Sequence, residues 1–169
     1  MIGIMDLIQI EALDLKDCYE AWSNFAKQLD EDQALKSKEE LDYPNEEELK
    51  RWWHNRLCDL SHIKNTVLFA SDKTKQNKYI GMLCYCLQQK VDPKNYQRNY
   101  FIYLSDLFVL PEYRSKGVGK ILLSFLKTQP MSKTIYLNTA GDNQRADEFY
   151  INNGFEIKGH YFEYVKKGE

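Results

Sequence analysis

The chain has no apolar run approaching the roughly 18 residues that a membrane-spanning helix requires, so no such helix is expected. Its 8 glycines and 4 prolines in 169 residues exclude collagen-like and low-complexity classes. Histidine is scarce, and His54, His62 and His160 have no metal-binding spacing. The 4 cysteines include no C-x-x-C. Cys18 and Cys58 are isolated, and Cys84 and Cys86 share one face of an apolar strand. Buried free thiols in a reducing compartment, and no metal, are therefore expected. A net charge of −2 argues against a dedicated nucleic-acid binder. The opening residues lack a basic stretch and place Asp6 and Glu11 among the apolar ones, which argues against a signal peptide. These absences point to a soluble, cytoplasmic protein with no nucleic-acid or membrane partner.

What is present is the composition of a globular domain: 43% hydrophobic, 28% charged and 14% aromatic residues. The aromatic share favours strands and lined pockets over a plain helical bundle. Charge is unevenly spread. Residues 1–60 hold 15 acidic and 7 basic side chains, and the remainder 10 and 16. Solvated helix faces alone produce such asymmetry; ligands of opposite sign would too.

Hydrophobic period predicts a strand over 4–12, then an amphipathic helix capped by Asp14 with its stripe through Trp22, Phe25 and Leu29. Residues 30–43 read as loop with some helix, and Asn45 caps a second helix to about residue 60. Strands follow over 66–70 and 79–89, joined by the turn 71–78, and then a loop over 90–99. A strand over 100–109, a helix over 118–127, a strand over 134–138 and a helix over 144–152 closed by Gly154 come next. Two short strands, 155–158 and 161–165, finish the chain. With no repeat or linker, residues 1–169 read as one domain of the α/β (α+β) class built on a mixed sheet.

The informative stretch is Asp106-Leu107-Phe108-Val109-Leu110-Pro111-Glu112-Tyr113-Arg114-Ser115-Lys116-Gly117-Val118-Gly119-Lys120, a strand, a turn and a helix start with two glycines. Free backbone N–H groups and the positive dipole end make such a helix start an anion site. Glycine lets a phosphate approach the main chain, and Arg114, Lys116 and Lys120 add mobile positive charge. A strand-to-helix turn whose glycines serve packing alone is the competing reading. A Walker loop fails because Ile121 follows Lys120 and Arg114 stands where its first glycine belongs. A dinucleotide fingerprint fails because Leu122 stands at the third glycine position.

Here the chain resembles the GNAT superfamily of acyl-CoA-dependent N-acyltransferases, through Val109, Pro111, Tyr113, Arg114, Gly117 and Gly119. A second signature, Asn143-x-x-Ala146-x-x-Phe149-Tyr150-x-x-x-Gly154-Phe155, also resembles that family. The resemblance implies a mostly antiparallel sheet flanked by helices, with splayed central strands holding CoA. It implies that acetyl-CoA is the co-substrate, with its pantetheine arm beside Leu107, Phe108 and Val109. Its pyrophosphate would lie at Arg114, Ser115, Lys116, Gly117, Val118, Gly119 and Lys120, with Asn143 nearby. Tyr150 would protonate the departing thiolate. Asp106 would be the carboxylate base, although a structural Asp106 is an equal alternative. Its strand resembles that of diamine-type acetyltransferases, which commonly carry Glu where this chain has Ser105. The implied reaction is direct acetyl transfer from acetyl-CoA to a primary amine. The acceptor is a small cationic amine or, alternatively, a protein N-terminus or lysine. A silent acyl-CoA-binding module is the rival class, and a homodimer is an assembly common in the family.

Overall fold

The computed structural model describes residues 7–14, 17–37, 65–75, 79–130, 133–139, 143–158 and 161–166. The helix expected over 45–60, Cys58, His54, His62 and His160 lie outside them. Strands β1 (Ile8–Asp14), β2 (Asn65–Asp72), β3 (Tyr79–Val91), β4 (Arg98–Val109), β5 (Thr134–Leu137), β6 (Glu156–Lys158) and β7 (Tyr161–Val165) form one sheet. Its order is β1-β2-β3-β4-β5-β7-β6, and every pair is antiparallel except β4 with β5. Helix α1 (Tyr19–Ser37) covers one face; α2 (Val118–Lys127) packs on the other, with α3 (Gln144–Asn152) beside it.

Two apolar layers result. Leu68, Ile80, Leu83, Ile102, Leu122 and Leu126 meet between the sheet and α2. Trp22 and Phe25 of α1 close over Val67, Phe69, Met82 and Phe108. Trp22 is wholly buried, as its place in the helical stripe requires.

Three boundaries depart from the sequence reading. Asp14 does not cap α1. It is the last residue of β1, paired with Thr66, because the strand ladder claims its backbone first. The helix starts later, with the Cys18 carbonyl accepting from Trp22 N at 2.9 Å. Helix α1 then runs to Ser37, into the segment read as loop with some helix; Asp, Glu, Gln, Ala and Leu there support a helix without an apolar stripe. The loop read over 90–99 shrinks, since Val91 pairs with Arg98 and Lys90 with Asn99. Asp92 closes it by accepting from Lys94 N at 2.8 Å.

A bulge in β4 sets which side chains face which layer. Cys84 pairs with Asp106 and Tyr85 with Leu104, which leaves Ser105 without an opposite residue. The Ser105 hydroxyl donates to the Cys84 carbonyl at 3.1 Å. An uninterrupted strand would put residues 102, 104, 106 and 108 on one face. Here Ile102 and Leu104 pack toward α2 and Phe108 toward α1.

The buried thiols make stability sensitive to alkali. Burial, with Asp17 as the next cause, pushes the Cys18 thiol up to about 11. Burial, then the Asp106 charge, pushes Cys84 up to about 12. An unfolded thiol ionises near 9, so above that pH the unfolded chain releases protons first. This contribution to stability is whole below pH 9 and is lost as pH rises toward 11–12. The melting temperature should decline through this window, and Cys84→Ala should flatten the decline. Equal slopes in wild type and variant would contradict this account.

Candidate active site

The site begins where two neighbouring strands separate. Strand β5 pairs with β4 only at Ile102–Ile135 and Tyr103–Tyr136. Strand β4 continues to Val109, laddered to β3 throughout. From Leu104 onward its other edge has no strand partner among the described residues. Backbone amide groups on such an edge can pair with an extended amide-bearing ligand, as an added strand would.

A turn follows. Pro111–Tyr113 form one turn of 3-10 helix. Ser115 has φ 60° and Gly117 φ 85°, both left-handed. Glycine occupies that conformation without the Cβ penalty, and Gly117 is the residue from which α2 starts. No side chain caps α2 there, so its first-turn N–H groups keep their donor capacity. Gly119 serves packing. A Cβ on it would lie 3.3 Å from Phe149 Cζ, so its absence lets α2 approach α3.

The edge, the turn and α3 enclose a cleft of about 430 Å³. Of the residues expected to bind cofactor, Leu107, Phe108, Val109, Arg114, Ser115, Gly117, Val118, Gly119, Lys120, Asn143 and Tyr150 line it. Lys116 does not. Its ammonium lies 5.4 Å from the centre of the Tyr113 ring. Arg114 is not mobile charge: its Nε donates to the Val109 carbonyl at 2.9 Å and its guanidinium lies over Phe108. Asp106 is also absent from the lining. It is buried at 4% exposure, opposite Cys84 and in phase with Phe108 on the α1 face.

Asn143 caps α3, its Oδ1 accepting from Ala146 N at 3.2 Å. Tyr150, 6% exposed, is wedged between Phe149, Phe155 and Phe162, with ring centres 5.3 to 5.9 Å away. Its carbonyl accepts from Phe155 N across the left-handed Gly154, which ends α3 behind the ring. Burial, and secondarily the Asp106 charge, holds the Tyr150 phenol well above its ordinary value. It therefore stays protonated at neutral pH.

Six further residues of the cleft were not read as ligand-binding from sequence: Leu29, Tyr113, Arg145, Ala146, Phe149 and Asn153. Arg145 occupies a variable position inside the second signature. Leu29 is one residue of the α1 stripe. Tyr113 is buried and bonded to its surroundings: Lys75 Nζ donates to its hydroxyl, which donates to Asp72 at 3.5 Å. No group of three or more His, Cys, Asp or Glu among the described residues could hold a metal. No helix among them is long and apolar enough to cross a membrane.

The sheet thus splits at its fourth strand, with a glycine turn and a buried tyrosine at the opening. The chain belongs to the acetyltransferase (GNAT) family, whose model matches residues 19–155. Members of that family use acetyl-CoA. A point mutant of the BH1408 protein of Bacillus halodurans is 21% identical, with TM-score 0.65 over 89% of this chain and 94% of that one. An aminoglycoside acetyltransferase, meta-AAC0020, from an uncultured soil metagenomic sample and in complex with sisomicin, is 18% identical. It gives TM-score 0.63 over 98% of this chain and all of that one, 100%. The aminoglycoside N-acetyltransferase AAC(6')-Iy in complex with CoA is also 18% identical, with TM-score 0.62 over 96% and 94%. These likenesses show the fold. No curated protein is similar enough in sequence to count as a relative.

The left-handed turn residue is testable without any ligand. Gly117→Ala should lower stability by about 1 kcal/mol, the left-handed penalty less the entropy that alanine removes from the unfolded chain. An unchanged urea midpoint would contradict the conformation described.

Proposed function

We propose that residues 1–169 form one N-acetyltransferase domain that moves acetyl from acetyl-CoA to a primary amine by direct attack within a ternary complex. The observation that carries this reading is the open edge of β4 leading to an uncapped helix start, with Tyr150 in the wall. The pantetheine amides would pair with the edge at Leu107, Phe108 and Val109. The pyrophosphate would meet N–H groups from Ser115 to Lys120.

In the transfer, the neutral amine attacks the thioester carbonyl. The N–C bond forms, the C–S bond breaks, and sulfur leaves with the bonding electrons. Tyr150 donates to that sulfur, and its elevated pKa means that it enters the step protonated at any physiological pH. Asp106 lies on the α1 face and accepts the amine's proton through water. The two side chains then belong to opposite faces of the sheet, Tyr150 to the α2 layer and Asp106 to the α1 side. Covalent catalysis is disfavoured because Cys18 and Cys84 are buried with raised thiols.

A small cationic amine is the acceptor we favour. The sequence of α1 holds four acids, Glu20, Asp30, Glu31 and Asp32, against two bases, Lys27 and Lys36. Two structurally similar proteins are aminoglycoside acetyltransferases, which supports a small amine-bearing acceptor. Attraction of this kind is screened over about 8 Å at physiological salt.

Amine-dependent CoA release tests both parts. Tyr150→Phe should lower turnover by about two orders of magnitude with little change in acetyl-CoA affinity. Wild-type rates would show Tyr150 to be a packing residue. A diamine should exceed a neutral-tailed monoamine and a lysine peptide in kcat/KM at low salt, and lose that lead through KM as salt rises. Equal rates across the panel at both salts would end the cationic-acceptor reading, and no release with any amine would leave a binding module.

A further inference from the structure

The lining of the cleft is electrostatically one-sided. It carries three cationic side chains, Arg114, Lys120 and Arg145, and no carboxylate among the described residues. Arg114 is committed to the Val109 carbonyl and the Phe108 ring. Lys120 and Arg145 have no hydrogen bond, ion pair or ring contact among the described residues. The nearest acid along α3 in sequence, Asp147, is engaged by the Thr139 hydroxyl at 2.6 Å.

Both of these cations line the same cleft, one from α2 and one from α3. Helices α2 and α3 touch at Gly119 and Phe149, where a Cβ would come within 3.3 Å of the ring. Lys120 is the next residue along α2. Arg145 precedes Phe149 by four residues, so both lie on one face of α3, a helical turn of about 5.4 Å apart. The pair thus flanks a single helix–helix contact at the exposed mouth of the cleft, past the turn at Gly117.

Resting on the acetyl-CoA reading, the ligand presents two separate anionic groups. The pyrophosphate has backbone N–H groups available at the start of α2. The other group is the phosphomonoester on the ribose 3′ oxygen, which carries roughly −1.5 to −2 charge at neutral pH, as other phosphomonoesters do. Main-chain donors at the turn are already claimed, so a second phosphate needs side chains that reach outward. A guanidinium supplies a planar two-pronged donor and an ammonium a point charge. We propose that Lys120 and Arg145 form a subsite for the ribose 3′-phosphate, making this chain selective for acetyl-CoA over acetyl-3′-dephospho-CoA.

Calorimetric binding of both thioesters to the full chain tests this, with wild type, Lys120→Gln, Arg145→Gln and the double variant at low and high salt. Wild type should bind acetyl-CoA about tenfold more tightly at low salt, as for a charge-assisted hydrogen bond. The ratio should shrink with salt, fall in each single variant and approach unity in the double variant. The affinity for the dephospho compound should fall less than that for acetyl-CoA in every variant, and melting temperatures matching wild type show that the variants are folded. Equal wild-type affinities would overturn the subsite while leaving the acetyl-CoA reading intact. A tenfold ratio retained in the double variant, or an equal loss for both ligands, would overturn it as well. Failure of wild type to bind either thioester would overturn the acetyl-CoA reading and this subsite together.

Discussion

Strand β4 must satisfy β3 along its whole length and β5 along only a small part of it. Its hydrogen bonds to β3 run from Arg98 to Val109, while β5 meets it at Ile102 and Tyr103 alone. The remaining edge is held open by the rest of the fold. Gly81 permits this on the far side: a Cβ there would lie 3.1 Å from Val118, so its absence lets α2 settle beside the end of β4. Helix α3, anchored by its Asn143 cap and ended at Gly154, supplies the opposite wall. An exposed strand edge is ordinarily a liability for aggregation. Here it lies inside a cleft, where only a ligand of limited width can use it.

The bulge at Ser105 follows from the same constraint. A regular β4 would present Asp106 and Phe108 to the layer that holds Leu104, burying a carboxylate among leucines. The extra residue turns Phe108 into the α1 layer and leaves Leu107 and Val109 facing α2 and the cleft. Asp106 thereby shares its neighbourhood with Cys84 and still influences Tyr150 across the strand. The serine that departs from the diamine-type pattern has a local structural use, since its hydroxyl bonds the Cys84 carbonyl at the irregularity.

Legibility from sequence tracks the range of the interaction involved. The α2 and α3 helices were readable to the residue because caps, glycines and apolar spacing are local signals; Asn143 and Gly154 stand where those signals put them. Most of the cleft lining was readable through two short signatures. What escaped depends on contacts distant in sequence. Asp14 looks like a cap, but pairing with Thr66 decides its conformation. Arg114 and Lys116 look equivalent as phosphate ligands until the Val109 carbonyl and the Tyr113 ring take one each. Arg145 looks like a solvated helix residue until the fold makes it, with Lys120, part of one cleft lining. The bulge itself has no sequence signal, because it is a property of two strands rather than one.

These placements also divide the charge of the chain by task. The net −8 of residues 1–60 and the +6 of the remainder nearly cancel in the total. Locally they do not cancel, since the cleft lining contains cations without acids and α1 carries four acids to two bases. Two apolar layers cover the faces of the sheet, one around Trp22, Phe69 and Phe108 and one around Leu122. Charge is poorly screened across such layers. Tyr150 packs in the layer around Leu122, and Asp106 lies in phase with Phe108 of the other layer. On the proposed reading, an anionic acyl donor and a cationic acceptor meet beside the stretch of β4 that β5 leaves open, where the buried phenol is held in its protonated form.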